Sequence, residues 1–161
     1  MSLELVIFTG LPGAGKTSFY RERFAATHVH VSKDLWPNAR RRDERQRRLV
    51  DENLRAGRSV VVDNTNPTPS EREPLIAIAR DLGATVASYA FVVTVEEALR
   101  RNAGREGRAR VPDVAIFAIA KRLVVPAHTE GFDLHYEVEL KEGRFQVRQV
   151  TVCNVPRSLG V

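Results

Sequence analysis

The segment G-L-P-G-A-G-K-T-S at residues 10–18 constrains this chain more than any other stretch. It satisfies the pattern G-x-x-x-x-G-K-[ST] and lies between an apolar run and a segment of helical spacing, the context that gives this pattern physical meaning. Backbone N–H groups of such a loop, together with the positive end of the following helix, converge on phosphate oxygens. The lysine bridges the β and γ phosphates of a nucleoside triphosphate, and the threonine hydroxyl ligates Mg²⁺. The predicted nucleotide-binding residues are Gly10, Pro12, Gly13, Ala14, Gly15, Lys16, Thr17 and Ser18.

Short apolar runs alternate with segments of helical spacing along the rest of the chain. The runs are typical of buried parallel strands, and their alternation with helices is the pattern of βαβ units. The sequence therefore predicts an α/β fold with three layers around a mostly parallel sheet. Strands are predicted at 3–8, 29–31, 59–62 and 85–93, helices at 16–26, 39–56, 70–82, 95–103 and 113–123, and a final hairpin at 135–140 and 144–152, turned by Glu142 and Gly143.

Local signals mark the ends of several predicted helices. Gly57 and Gly83 occur where helices are expected to stop. Ser70, followed three residues later by Glu73, predicts a capping box that opens the third helix. Asp113 is expected to cap the fifth helix.

Length and composition predict one domain over residues 1–161, with 43% hydrophobic residues available for a core. No run approaches the roughly 20 apolar residues of a membrane span, so we expect a soluble, cytoplasmic protein with no membrane partner. Cys153 is the only cysteine, which excludes an intrachain disulfide and argues against a thiolate zinc site. The net charge of +5 favours polyanionic partners but says nothing about fold, and the oligomeric state is left open.

Asp34 follows the second predicted strand, at the sheet edge where parallel strands present their carboxyl ends to the phosphate loop. A carboxylate at that edge can accept the proton of an attacking hydroxyl and align it with the γ phosphate. The alternative is an aspartate that caps a helix. The position directly after a strand favours the catalytic role. A small kinase also suits this length better than a switch GTPase, since no N-K-x-D tetrad is present.

The third predicted strand ends in V-V-V-D-N-T-N-P-T, where Asp63 is a candidate Mg²⁺-associated or loop-bracing carboxylate. Asn64, Thr65 and Asn66 follow as uncharged hydrogen-bonding groups that could grip an acceptor phosphate or orient Asp63. A common turn before proline is the alternative. The functional interpretation is favoured because a turn does not require a carboxylate at the end of an apolar strand.

The segment 100–112 is rich in Arg, Gly and Ala, lacks an apolar period and predicts an exposed, mobile, Arg-rich lid. An arginine from it could neutralise charge that develops on the transferred phosphoryl group, as arginine fingers do. Most of these arginines are expected to be ordinary solvated charges. The candidates are Arg101, Arg105, Arg108 and Arg110.

Five segments, in order, resemble the 5′-polynucleotide kinase family, which phosphorylates 5′-hydroxyl ends of DNA or RNA. They are G-L-P-G-A-G-K-T-S, S-K-D, D-N-T-N-P-T, R-N-A-G-R and V-P-D-V-A-I-F-A-I-A-K-R-L-V-V-P-A-H-T-E-G-F, and they span nearly the whole chain. The resemblance implies a P-loop kinase fold, with ATP as phosphoryl donor and Mg²⁺ as cofactor.

The same resemblance implies individual roles in catalysis. Asp34 would be the general base, and Arg105 the lid arginine that stabilises the transition state. Lys16 and Thr17 would contact ATP and Mg²⁺. The residues implied on the acceptor side are Asp63, Thr65 and Asn66.

One departure from the family concerns how an acceptor phosphate is held. Phage-type members carry an arginine three residues after the general base, where this chain has Pro37, and mammalian-type members also lack that arginine. Arg40, Arg41 and Arg42 are close enough in sequence to substitute. Trp36 is a candidate stacking platform for the terminal base, with core packing as its alternative.

The favoured function is an ATP-dependent polynucleotide 5′-hydroxyl kinase whose partners are nucleic acid 5′-OH ends. One alternative is a P-loop kinase of a small-molecule hydroxyl, such as a sugar, an antibiotic or a nucleotide. Another is a nucleotide-dependent binding protein without transfer activity, which the joint presence of Asp34 and a lid arginine argues against. The arginines in 40–48 favour an open basic channel, although the same residues are typical of a solvated helix with acid–base pairs.

Overall fold

Six strands form one sheet in the computed structural model, which describes residues 2–151. They are β1 Glu4–Thr9, β2 Val29–Val31, β3 Val60–Val62, β4 Thr85–Phe91, β5 Leu134–Lys141 and β6 Arg144–Gln149. Their order across the sheet is β2-β3-β1-β4-β5-β6, and all neighbouring pairs are parallel except β5 with β6. The strand order therefore reverses at β1, with β2 and β3 on one side of it and β4, β5 and β6 on the other. In α/β proteins, ligands bind at the carboxyl ends of the strands at such a reversal point.

Five α-helices cover the two faces of this sheet. They are α1 Lys16–Arg23, α2 Arg42–Arg55, α3 Pro69–Asp81, α4 Val95–Ala103 and α5 Asp113–Arg122. Side chains of β1 alternate between the faces, so that Leu5 and Ile7 pack with α2 and α3 whereas Val6 and Phe8 pack with α1. A smaller apolar cluster joins α4 to α5. The predicted three-layer α/β fold is confirmed.

The third helix begins earlier than predicted. The observed capping box joins Thr68 to Glu71: Thr68 Oγ1 accepts a hydrogen bond from Glu71 N, and the Glu71 carboxylate accepts one from Thr68 N. Pro69 occupies the first helical position, where the lack of an N–H is harmless because that amide has no intrahelical partner. The prediction of Ser70 and Glu73 as the capping pair was wrong by two residues, because Thr68 caps the helix and Pro69 already lies in its first turn.

Other helix ends follow backbone conformation. Gly57 and Gly83 have φ of +76° and +70° just after α2 and α3, which confirms their predicted role in ending helices. Arg41 has a left-handed φ of +54°, so α2 begins at Arg42 rather than at residue 39. Asp113 is the first residue of α5 and not its cap, which was predicted incorrectly. Its carboxylate, in the first turn of α5, still interacts favourably with the positive end of the helix dipole.

The hairpin of β5 and β6 was predicted correctly in its main part. Glu142 and Gly143 have φ of +51° and +73°, as a two-residue turn between antiparallel strands requires. β6 ends at Gln149, whereas the prediction continued to residue 152, and the end of that prediction and Cys153 lie outside the described residues. Within residues 2–151, no helix is long and apolar enough to cross a membrane. A single domain over residues 1–161 stays a prediction.

Candidate active site

The loop between β1 and α1 requires glycine at several positions. Gly13 and Gly15 have φ of +85° and +93°, a conformation that other residues rarely adopt. A Cβ added to Gly10 would lie 2.8 Å from the Cβ of Phe91, and one added to Gly13 would lie 2.9 Å from the carbonyl oxygen of Ala98. The path of this phosphate loop, residues 10–18, therefore depends on glycine for conformation and for close packing.

The start of α1 completes the phosphate loop. Gly15 is the residue before the helix, and it provides no side-chain cap. The first-turn amides of a helix lack intrahelical acceptors, and no acidic side chain lies in the first turn of α1 to neutralise them. The loop thus ends on a set of N–H donors with a partial positive charge, which suits an anion.

Lys16 places an ammonium group at this point. Its side chain is only 8% exposed, and its Nζ donates hydrogen bonds to the carbonyl oxygens of Gly10 at 2.9 Å and Leu11 at 2.7 Å. Burial lowers the pKa of Lys16 from 10.5 to about 8, the Asp63 carboxylate opposes this shift, and the Arg105 guanidinium adds to it. Near neutral pH the group is a buried cation whose hydrogen bonds within residues 2–151 go to carbonyl groups alone, and an anionic ligand would stabilise it.

Asp63 lies directly after β3, beside the start of α1, and is 3% exposed. Thr17 Oγ1 donates to Asp63 Oδ2 at 2.7 Å, and His30 Nε2 lies 2.9 Å from the same oxygen. The two predicted Mg²⁺ ligands, Thr17 and Asp63, are therefore hydrogen-bonded neighbours. Across residues 2–151, no group of three or more His, Cys, Asp or Glu could hold a metal by itself. A cation at this pair would complete its coordination with phosphate oxygens and water, as Mg²⁺ commonly does.

Asp34 lies in a single turn of 3₁₀ helix, Lys33–Leu35, that follows β2. Ser32 caps this turn, since its Oγ accepts from Asp34 N at 3.3 Å, so Asp34 is not the capping residue. The Asp34 side chain is exposed and forms no hydrogen bond or ion pair with any residue of the described part of the chain. The carboxylate is consequently free to accept a proton from a ligand.

The turn that carries Asp34 is tied to its neighbours by Asn64. Asn64 Oδ1 accepts from Lys33 N at 3.0 Å, and Asn64 Nδ2 donates to Gln46 Oε1 at 2.5 Å. Gln46 is a buried residue of α2. The ends of β2 and β3 and one face of α2 are thus fixed relative to one another at the position of Asp34.

Asn66 braces the loop after β3 from a left-handed conformation, with φ of +40°. Its Nδ2 donates to the Phe8 carbonyl at 2.7 Å, and its own carbonyl accepts from Arg72 Nη1 at 2.8 Å. Arg72 is fully buried and forms a two-pronged ion pair with Glu130 at 2.8 and 3.0 Å. Asn66 therefore holds the loop after β3 in place through β1 and Arg72, and its side-chain nitrogen is already engaged.

The arginines of the predicted lid differ in their placement. Arg101 donates to the Gly13 carbonyl at 3.3 Å and so braces the phosphate loop. Arg105 and Arg108 line the cleft described below, whereas Arg110 does not. The first four residues of the predicted lid belong to α4, and closure of the remaining segment over a ligand stays a prediction.

One cleft of about 870 Å³ brings the predicted catalytic groups together. Lys16, Asp34 and Arg105 all line it. The other predicted site residues in its lining are Pro12, Gly13, Thr17, Ser18, Asp63, Thr65 and Asn66. Gly10, Ala14 and Gly15 are not part of the lining.

Two predicted acceptor-binding residues, Trp36 and Arg40, do not line this cleft. Trp36 packs against the apolar cluster beneath α2 and α3, and the guanidinium of Arg45 lies 5.0 Å from its ring centroid. Arg40 is exposed in the loop before α2. The position of Trp36 favours the packing alternative, and roles for both residues in acceptor binding stay predictions.

Three arginines of the cleft lining, which we call the basic wall, were only partly indicated by the sequence. They are Arg21, Arg42 and Arg47, and they form no ion pair with any residue in 2–151. Lys33, by contrast, is paired with Asp43, whose pKa is lowered chiefly by the hydrogen bond from Lys33. The cationic residues of the lining are Lys16, Arg21, Lys33, Arg42, Arg47, Arg105 and Arg108, against the acidic residues Asp34, Asp43, Asp63 and Glu71.

Sequence reasoning missed several residues of the site. Gln46 was not predicted, although it lies four residues after the candidate Arg42 on α2, and Arg47 was indicated only as one of the arginines in 40–48. Helical spacing does not show which face of α2 meets the cleft. His30 alternates with the apolar residues of β2, yet its contact with Asp63 depends on β2 lying beside β3. No short-range signal connects Arg72 to a partner 58 positions away.

Comparison with known proteins agrees with this architecture. A family model described as an AAA domain matches residues 5–126, which is well over half of the chain and includes the phosphate loop, Asp34, Asp63 and the predicted lid. The chain belongs to this AAA domain family. A solved sugar kinase from Janibacter sp. HTCC2649 has the same fold, with a TM-score of 0.65, 15% identity and coverage of 86% of each chain.

Curated relatives of this AAA domain confirm the resemblance to polynucleotide kinases. The bifunctional polynucleotide phosphatase/kinase of Schizosaccharomyces pombe is 26% identical over 142 residues, which cover 86% of this chain and 34% of that protein. A putative bifunctional polynucleotide phosphatase/kinase of Acanthamoeba polyphaga mimivirus is 27% identical over 138 residues, covering 81% and 32%. The chain thus spans about a third of the length of the curated relatives that it matches.

Proposed function

We propose that this domain is an ATP-dependent kinase that transfers the γ phosphate of ATP to 5′-hydroxyl ends of DNA or RNA. The observation that carries the proposal is the cleft, which is lined by buried Lys16, by Asp34 and Arg105, and by arginines that, like the Asp34 carboxylate, form no ion pair within residues 2–151. The similarity to proteins described as polynucleotide phosphatase/kinases supports the same class of acceptor.

The phosphate loop and Thr17 are suited to hold the triphosphate with its metal. Lys16, with two carbonyl partners and no carboxylate partner, would gain an ionic partner in the β and γ phosphates. The Thr17 hydroxyl and the Asp63 carboxylate are the right donor set for Mg²⁺ shared with phosphate oxygens. When bound, the cation would neutralise charge on those oxygens.

Asp34 is the group that would act on the acceptor. Its exposed carboxylate would take the proton as the 5′ oxygen forms a bond to the γ phosphorus, while the bond from that phosphorus to the β-γ bridging oxygen breaks and ADP leaves. Lys16 and Arg105 are the cationic side chains in the lining that would offset negative charge on the transferred group.

The basic wall explains why a polynucleotide suits the site better than an uncharged small molecule. A strand that enters along α2 would place its backbone phosphates beside Arg42 and Arg47, which form no ion pair in residues 2–151. Each phosphate of a single strand that the protein neutralises contributes about −0.7 to the slope of log affinity against log salt concentration. A sugar acceptor would show almost no such slope.

The deciding experiment offers γ-labelled ATP and Mg²⁺ with matched acceptors. These are 5′-OH and 5′-phosphorylated oligonucleotides of DNA and RNA, nucleoside 3′-monophosphates, and a panel of sugars. Transfer to the 5′-OH oligonucleotides alone supports the proposal. Label found only on a sugar or a free nucleotide would overturn it and favour the small-molecule kinase.

A variant pair tests the acceptor path separately. The double substitution Arg42→Gln with Arg47→Gln should lower the salt slope of oligonucleotide binding by about 1.4, because two phosphate contacts are lost. The control is Arg48→Gln, since Arg48 is exposed on α2, pairs with Glu52 and does not line the cleft. An equal salt slope in both variants would rule out the proposed path.

A further inference from the structure

His30 makes a contact in the site that the proposed reaction does not use. Its Nε2 lies 2.9 Å from Asp63 Oδ2. A carboxylate can only accept, so Nε2 carries the proton and donates. Thr17 Oγ1 donates to the same oxygen at 2.7 Å. Two donors therefore fix one oxygen of Asp63, while Oδ1 accepts no hydrogen bond from any residue of 2–151.

The His30 ring is itself held in place. Tyr20 stacks on it with ring centroids 4.1 Å apart and an angle of 14° between the planes. The Tyr20 hydroxyl donates to the His28 carbonyl at 2.7 Å, which fixes the tyrosine against the beginning of β2. A stacked ring with an anchored partner cannot swing away from Asp63 without breaking these contacts.

Thr17 alone would hold Asp63 less firmly. Apart from His30, Thr17 is the only residue of 2–151 that donates a hydrogen bond to the Asp63 carboxylate. In the proposed function the oxygen of the same Thr17 hydroxyl also ligates the metal. A donor from a separate strand leaves the carboxylate oriented even when the threonine shifts toward a cation. Groups that orient a metal-binding side chain in this way commonly alter metal affinity 10- to 100-fold.

We propose that His30 is a positioning residue that fixes the Asp63 carboxylate and thereby sets the affinity of the site for the divalent cation that accompanies the triphosphate. This inference rests on the proposed function, because it assumes that a metal–nucleotide complex binds in the cleft. The predicted effect is on the metal requirement, which a residue that only fills the core would not change.

The test measures binding of a fluorescent, non-hydrolysable ATP analogue during Mg²⁺ titrations at fixed pH. The variant His30→Phe keeps an aromatic ring to stack on Tyr20 and removes the donor. It should raise the half-saturating Mg²⁺ concentration at least about tenfold. Binding of the analogue in EDTA should stay unchanged. His30→Gln, which retains a nitrogen donor, should recover most of the loss.

The matched control is His28→Phe. His28 belongs to the same segment but bonds to Glu4, 2.7 Å away, and has no contact with Asp63. It should leave the half-saturating Mg²⁺ concentration unchanged. Thermal unfolding of each variant without ligand verifies folding. If His30→Phe does not fold, His30→Gln is compared instead with His30→Asn, whose side chain is too short to reach Asp63. The Mg²⁺ requirement of His30→Gln must then lie near that of wild type and below that of His30→Asn.

The outcomes separate this inference from the proposed function. An unchanged Mg²⁺ requirement in His30→Phe, with wild-type binding that depends on Mg²⁺, would overturn the role of His30 alone. If His30→Phe lost as much affinity for the analogue in EDTA as in Mg²⁺, the role of His30 would also be overturned, because such a loss indicates a general structural effect. Wild-type protein that fails to bind the analogue would instead overturn the proposed function.

Discussion

Replacing Lys16 by methionine should stabilise the ligand-free protein while it abolishes triphosphate binding. The reason is the environment of the ammonium group, which is 8% exposed and bonded to two carbonyl oxygens. Burial lowers the pKa of Lys16 from 10.5 to about 8. At neutral pH the folded protein therefore keeps a charge in a place that disfavours it, a condition that an anionic ligand would relieve.

The size of the effect follows from the pKa. At 1.36 kcal/mol per pKa unit, the charged Lys16 destabilises the fold at neutral pH by about 3 kcal/mol. Methionine also removes two hydrogen bonds, each worth about 1 kcal/mol, so the net gain is about 1 kcal/mol. For a domain of this size that corresponds to a rise in Tm of about 2–4 °C.

The pH dependence has a definite sign. Between pH 8 and 10.5 the unfolded chain binds more protons at Lys16 than the folded chain does, so wild-type stability gains with rising pH. The stability of Lys16→Met relative to wild type should therefore fall by about 2 kcal/mol between pH 7 and pH 10, from a gain of about 1 kcal/mol to a loss of about 1 kcal/mol, and other titrating groups cancel in the difference.

Urea unfolding of both proteins across this pH range measures the difference directly. Lys33→Met is the matched control, because Lys33 also lines the cleft but is partly exposed and paired with Asp43. It should show no gain in stability at neutral pH. If the stability difference between wild type and Lys16→Met stayed constant from pH 7 to pH 10, the reasoning about the buried charge would be refuted.

Three further outcomes are expected. Asp34→Asn should slow transfer to 5′-OH oligonucleotides by about 10²- to 10⁴-fold in single-turnover assays while ATP affinity is nearly unchanged, and a transfer rate near wild type would contradict its role as base. Glu130→Gln should lower the free energy of unfolding by about 3 kcal/mol, because fully buried Arg72 loses its charged partner, whereas the double variant Arg72→Met with Glu130→Met should lose less in the same urea titration. ATP binding at pH 9 should take up about 0.9 proton, since Lys16 with a pKa of about 8 is mostly neutral before binding; calorimetry in buffers of different ionisation enthalpy measures this, and no proton uptake would contradict the shifted pKa.

The parts of the fold that local signals determine could be predicted from the sequence. The apolar run of β1, which is buried as a parallel strand, and the need for glycine in the phosphate loop are local properties, and they agree with the structure. The order of the strands could not be predicted, because nothing near β2 specifies that it pairs with β3 and not with β1. The contact of His30 with Asp63 and the pairing of Arg72 with Glu130 depend on that order and on loop closure over long separations.

Strand position also explains how two aspartates in one cleft can take different roles. Asp63 follows β3, which lies inside the sheet, so donors from α1 and from β2 reach the same carboxylate oxygen. Asp34 follows β2 at the edge of the sheet, where Ser32 rather than Asp34 satisfies the turn and the carboxylate is left exposed. A carboxylate fixed by two donors is suited to a cation, and one without donors can accept a proton. Placing a hydrogen-bond donor beside the Asp34 carboxylate would give Asp34 an environment like that of Asp63. Such a change should therefore impair proton transfer even though the aspartate itself is retained.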